Sequence, residues 1–387
     1  MTSKHFTPPS QRRFAAWLPS RVLHVDASPA RTLAGVTLTS ALLTLLGCST
    51  TAAPALRPAS APKATSAAPE PTPARTGLEP LTDEERALSV DLERDVKKIA
   101  ELTCPKPRPG KARTCARNSD AVWELAEISD WLSAQLEQAG YQVNRHGIEL
   151  DGSTVMNLEV EVPGGLRGGE LIVVGAHYDA VSGTPGADDN ASGVAGVLAL
   201  ARSYAGRRHQ RSLRFVLFVN EEPPHFQTPT MGSYVYAKSL SESGRAVRAM
   251  LSLESIGYYS DAPKSQQFPT ATLARQHSPV GDFVAVLGDE TSAPLVDVTS
   301  KLLHKHATLP VEQHVLASDV QGIDWSDHWS FWQFGYPAVM ITDTAPFRNP
   351  NYHKETDTPE TLDYGRMARV VSGVDAAIVD LAGGPYL

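Results

Sequence analysis

A chain of 387 residues with 42% hydrophobic content is long enough to bury a large core and to form one or two domains. Its formal net charge is −8, from 43 acidic against 35 basic side chains; the first 48 residues carry five basic groups and one acidic, which leaves −12 for the rest. An acidic chain without a basic stripe excludes a nucleic-acid binder.

Residues 1–31 are polar and basic, and Pro8, Pro9, Pro19 and Pro29 discourage a helix. The uncharged apolar run from Thr32 to Gly47 is too short for a typical membrane span and reads as the core of a secretory signal. It ends in Leu45-Leu46-Gly47-Cys48, which resembles the lipobox of bacterial lipoproteins, where the cysteine is acylated and becomes the new N-terminus. The long basic segment and the bulky Leu46 depart from that pattern, and an ordinary signal peptide with an incidental Cys48 is the alternative. Residues 49–77 are rich in Ala, Pro, Ser and Thr with no apolar period, the composition of an extended tether. The resulting expectation is an exported chain held to a bacterial membrane by a lipid on Cys48, with the folded domain at 78–387.

Thr82-x-x-Glu85 is a capping-box signature and predicts a helix to about Leu102. Cys104 and Cys115 flank a Pro/Gly loop, most simply as a disulfide in an exported protein; a zinc knuckle lacks further His or Cys nearby. A helix over about 120–139 stops at Gly140, and period-2 runs at 141–149 and 154–162 predict a hairpin turning at Asp151-Gly152. Beyond it, apolar strands are expected at 171–174, 214–219, 249–253, 283–287, around Val315 and at 338–342. Helices are expected at 194–204, 231–240, 295–306, 329–334 and 362–382. Such alternation predicts an α/β fold of three layers, α/β/α, with a mixed, mostly parallel central sheet.

The chemistry-bearing residues stand where these strands end. The run at 171–174 leads to His177 and Asp179, then to Asp188, Asp189, Asn190 and Ser192 before a helix; by itself that second group could be only a cap. The strand at 214–219 leads to Glu221 and Glu222, and the one at 249–253 to Glu254. His353 lies in the NPNYHKETDTPETLD stretch. Imidazoles and carboxylates at the carboxyl edge of an α/β sheet suit a divalent metal such as zinc.

In order along the chain, GAHYDA, PGADDNASG, NEEPPHFQTPTMGS, LSLESIGYY and RNPNYHKETDTPETLDY resemble the motifs of the two-zinc aminopeptidase family. That family includes bacterial leucyl aminopeptidases and is related to glutamate carboxypeptidases and glutaminyl cyclases; the likeness covers residues 80–385. It implies that Asp189 bridges two zinc ions, one completed by Glu222 and His353 and the other by His177 and Glu254. It further implies that Asp179 holds the His177 ring, that Glu221 is the general base for a water between the metals, and that Tyr352 donates to the oxyanion. A cis peptide after Asp189 belongs to the same pattern. Glu254 departs from it, because many members carry Asp there, which leaves the metal at that position less defined.

Peptide hydrolysis from the N-terminus is the leading function. A glutaminyl cyclase with one zinc, a carboxypeptidase on the same fold, and a metal-free binding module are the alternatives. Intact ligands speak against the last, and the full five-residue set against the first. Asp188 reads as a supporting residue or a cap, Ser192 as a helix-start residue, and Asp327-His328 as helix capping with core packing.

Overall fold

The structure, a computed structural model, describes residues 77–105, 115–150 and 152–383. The leader, all but the last residue of the tether, the interior of the 104–115 loop and Asp151 lie outside the described residues.

The chain opens with α1 (Asp83–Thr103) and α2 (Val122–Gln138), followed by the strands β1 (Asn144–Leu150), β2 (Ser153–Val162) and β3 (Gly164–His177). Next come α3 (Gly193–Tyr204), β4 (His209–Phe218), α4 (Gly232–Glu242), β5 (Ala246–Glu254), α5 (Ala271–Gln276) and β6 (Val284–Gly288). The last third holds α6 (Ala293–His306), β7 (Val311–Val315), α7 (His328–Trp332), β8 (Ala338–Thr342), α8 (Ala345–Arg348) and α9 (Tyr364–Gly383). Among the described residues no helix is long and apolar enough to cross a membrane.

The capping box forms as expected: the Thr82 hydroxyl accepts from the Glu85 amide (3.1 Å) and the Glu85 carboxylate accepts from the Thr82 amide (2.8 Å). Each satisfies an N–H that the first helical turn leaves without a partner. The Cys104–Cys115 disulfide is present.

One eight-stranded sheet runs in the order β1-β2-β4-β3-β5-β8-β6-β7. The pairs β3/β4, β3/β5, β5/β8 and β6/β7 are parallel, while β1/β2, β2/β4 and β6/β8 are antiparallel. Alternation within single strands explains the layers. On β3, Ile172, Val174 and Ala176 join a core with residues of α1, α2, α3, α6 and α9, whereas Leu171 and Val173 pack with Tyr236 and Leu240 of α4 and Phe331 of α7. Strands buried on both faces have to be apolar throughout, which is why this stretch shows as an unbroken run.

Several boundaries differ from expectation. β3 begins at Gly164, because GGLRGG offers no apolar alternation and yet pairs with the start of β4, Gly164 opposite His209 and Arg167 opposite Arg211. α7 ends at Trp332 instead of Phe334, and the chain then reverses at Gly335, whose φ of +72° suits glycine. The short α5 and α8 carry no period that sequence reading detects.

A polar cluster fastens the sheet to α4. The Glu159 carboxylate on β2 accepts from Tyr236 Oη (2.7 Å), Arg214 Nη1 (3.0 Å) and Asn144 Nδ2 (3.1 Å). Burial opposes the charge, yet His146, Tyr236, Arg214 and Asn144 hold this carboxyl down at about 2. A carboxyl with a depressed pKa stabilises the fold above its unfolded value and loses that contribution as pH falls through the folded one. Glu159→Gln is therefore expected to cost about 2 kcal/mol near neutral pH and much less near pH 2. Denaturant melts of both proteins across that window check this; a constant difference would contradict it.

Candidate metal centre

Strands β4, β3 and β5 lie side by side and run the same way, so their carboxyl ends open on one edge of the sheet. His177 closes β3, Glu254 closes β5, and Glu221 and Glu222 follow the end of β4 at Phe218. Asp189 arrives from the irregular turn Ala187–Ser192, which leads into α3 and contains the cis peptide Asp189–Asn190. His353 comes from the loop after α8 with φ +58°.

These side chains form two three-residue groups that share one carboxylate. His177, Asp189 and Glu254 make the first; Asp189, Glu222 and His353 make the second. Asp189 divides its oxygens between them: Oδ1 is 3.3 Å from His177 Nε2, and Oδ2 is 2.9 Å from His353 Nε2. His177 Nε2 is also 3.2 Å from Glu254 Oε2, and His353 Nε2 is 3.7 Å from Glu222 Oε2. Glu221 stands outside both groups, with Oε2 3.9 Å from His177 Nε2. The Tyr352 ring stacks on His353, centroids 3.8 Å apart.

Hydrogen bonds from distant parts of the chain fix this arrangement. Asp357 accepts from the amides of Asp188 (2.9 Å) and Asp189 (3.2 Å), clamping the turn. Asp188 accepts from the Gly257 amide (3.0 Å) and from Asn349 Nδ2 (2.7 Å), so it ties the turn to the segments after β5 and α8 and belongs to neither group. Asn190 donates to Leu253 O (2.9 Å) and Glu254 Oε2 (3.3 Å), and Ser326 donates to the same Glu254 oxygen (2.9 Å). Ser192 donates to Asp188 O and accepts from the Ile256 amide, a structural position at the helix start. Arg117 is fully buried and donates to Pro185 O (3.2 Å) and Gly186 O (2.9 Å). Gly186 is required there: its φ is +59°, and a Cβ would lie 2.6 Å from Arg117 Nη2.

Asp179 differs from expectation. Its carboxylate accepts from the amides of Glu221 (3.1 Å) and Glu222 (3.0 Å), whereas His177 Nδ1 is nearer the Asp179 main-chain oxygen (3.2 Å) than the carboxylate (3.6 Å). Two successive N–H groups offer a carboxylate a partner for each oxygen, so it holds the Glu221-Glu222 backbone first and the ring second. Asp327 also departs: it precedes α7 in a helical conformation, and its side chain makes no cap. His328 does pack in the core, its Nε2 2.7 Å from Ile323 O and its ring edge-on to Trp332.

His177, Asp189, Glu221, Glu222 and Glu254 are each no more than 8% exposed. Burial pushes Glu221 well up against the pull of His177, with Glu254 adding to the rise; burial, Asp189 and Glu221 do the same to Glu222. Although burial opposes it, His177 is raised by Glu254 and Glu221. Burial and the surrounding carboxylates push the Tyr352 phenol far up, so it stays a proton donor. Buried carboxylates here outnumber imidazoles, an imbalance that burial makes costly without cations. Carboxylate oxygen and imidazole nitrogen are the donors zinc takes. The residues present therefore fit divalent metal.

A cavity opens beside Glu254 and Tyr352. Its wall is mainly apolar, with Phe268, Leu287, Leu316, Trp325, Met340 and Phe347 among the lining residues.

An uncharacterised protein of Escherichia coli (strain K12), YfbL, is 38% identical over 266 residues, 67% of this chain and 81% of that one. A probable leucine aminopeptidase of Trichophyton verrucosum (strain HKI 0517) is 26% identical over 259 residues, and the match spans 62% of its length and 62% of this chain. Among solved structures, the fold is similar to that of the LapA aminopeptidase of Legionella pneumophila, with a TM-score of 0.57 at 19% identity, covering 80% of this chain and 78% of that one. The sequence pattern of peptidase family M28 matches residues 157–378, from β2 through both three-residue groups into α9, and the chain belongs to that family.

Proposed function

We propose that the protein is a two-zinc aminopeptidase that removes N-terminal residues from peptides. The observation that carries this reading is the pair of three-ligand groups joined by Asp189, with Glu221 beside them and in neither. Asp189, Glu222 and His353 would hold one zinc, and Asp189, His177 and Glu254 the other. When bound, the zinc pair supplies Lewis acidity, lowering the pKa of a water and polarising a carbonyl.

The chain's own residues do the rest. Glu221 takes a proton from the attacking water and passes it to the departing amine as the amide C–N bond breaks. Asp179 positions that base by holding its backbone N–H. Tyr352 Oη donates to the carbonyl oxygen as that atom gains negative charge. The apolar cavity beside Glu254 and Tyr352 accepts the side chain of the departing residue and favours large apolar ones. Membership of a peptidase family and the similarity to a relative named a probable leucine aminopeptidase support this reading. A one-zinc cyclase would leave one of the two ligand groups without a task.

The deciding assay compares leucyl peptides with free and acetylated N-termini, with and without a chelator. Release of leucine from the free form alone, abolished by chelation, is expected. Equal cleavage of blocked peptides, or chelator-insensitive cleavage, would overturn the reading.

The LLGC sequence and the Ala/Pro-rich segment after it support an enzyme exported and anchored through lipid on Cys48. In a bacterial host the full chain is expected in the detergent phase of a phase-partition experiment, and Cys48→Ser in the aqueous phase or unprocessed. Identical partitioning of the two would remove the anchor.

A further inference from the structure

A second set of metal-type donors stands outside the site described above. His277 follows α5 directly, and Glu312 and His314 lie two residues apart on β7, the edge strand of the sheet. Residues i and i+2 of a strand share a face, so both project to the side that His277 occupies. His277 Nδ1 is 2.9 Å from Glu312 Oε2, and the two imidazoles meet edge to face with centroids 4.6 Å apart. One ligand atom from each of the three residues falls within 4.8 Å of the others.

From this geometry we propose that His277, Glu312 and His314 form a further divalent-metal site, suited to zinc, that is independent of the Asp189 centre. Two imidazoles and one carboxylate are a known three-protein-ligand zinc set, leaving a fourth position for water or another donor. Ligand atoms of a tetrahedral zinc lie about 3.4 Å apart, given bonds of about 2.0–2.2 Å. All three side chains are only partly buried, so small rotamer changes close the difference. His314 makes no side-chain hydrogen bond among the described residues, and its ring meets that of His277 edge to face.

The location gives the site a consequence. His314 lines the same apolar cavity that reaches Glu254 and Tyr352, so an ion on it adds a charge to the cavity wall. Excess zinc then makes the cavity less hospitable to an apolar side chain, an effect that depends on the aminopeptidase reading, whereas the binding itself does not.

The experiment is a titration of the full chain with zinc chloride by calorimetry, started from protein dialysed free of loosely held metal. Wild type is expected to take up one further equivalent at least about 10-fold more weakly than the tightly held metal. His277→Gln and His314→Gln should each lose that equivalent, keep the tightly held metal and melt within a few degrees of wild type. Absence of the further equivalent in wild type, or its survival in both variants, would overturn the proposal. If one variant unfolds, Glu312→Gln replaces it under the same criterion. Asp189→Asn, which removes the shared ligand of the other centre, separates the two outcomes: it should retain the weak equivalent.

Discussion

Glu221→Gln is expected to lower peptide hydrolysis by about 10²–10⁴-fold while the zinc content stays at the wild-type level. Glutamine keeps the size of the side chain and its hydrogen-bonding capacity but cannot accept a proton. Since Glu221 belongs to neither ligand group, its loss leaves both sets intact. Its neighbour provides the contrast. Glu222 shares a group with Asp189 and His353, and its Oε1 also accepts from the Val181 amide (3.2 Å). Glu222→Gln should therefore weaken zinc binding, with activity partly restored by added zinc. If the two variants behave alike, whether both lose metal or both keep turnover, the roles given to these adjacent residues are wrong.

The second large effect is Asp189→Asn. This carboxylate turns one oxygen to each group, so neutralising it would remove a donor from both and the negative charge that the proposed zinc pair would share. Partners that merely orient a ligand are worth about 10–100-fold in metal affinity, and a shared ligand should exceed that range. Peptide hydrolysis falls with the metal. The fold should survive, because Asp357 still clamps the turn through main-chain amides that the substitution leaves in place. Matched circular dichroism spectra with a loss of zinc would meet the expectation; retention of both metals would contradict it.

Much of the candidate site is legible in the sequence because several of its residues stand at the ends of apolar strands buried on both faces. Leu171 to Val174 leads to His177, and the run through Phe218 leads to Glu221 and Glu222. Where a strand lacks that signature it goes unseen, as with the Gly164–Glu170 half of β3. The supporting residues are harder still. Asp357 bonds to amides more than 160 residues earlier, and Arg117 reaches the main chain of Pro185 and Gly186 across about 70 residues. No local pattern marks either one, since contacts of this kind exist only once the chain is folded. Asp179 stands two residues after His177 in the sequence, but that its carboxylate holds the Glu221 and Glu222 amides is decided by the backbone path after β4. His277, Glu312 and His314 share no motif at all; pairing of β7 at the sheet edge and the end of α5 bring them together.

The two-metal reading is tested most directly by elemental analysis of the purified full chain after dialysis against a weak chelator. Two zinc ions per chain are expected in the wild type, and close to none in Asp189→Asn. A single zinc per chain in the wild type, or one that persists undiminished in Asp189→Asn, would contradict it.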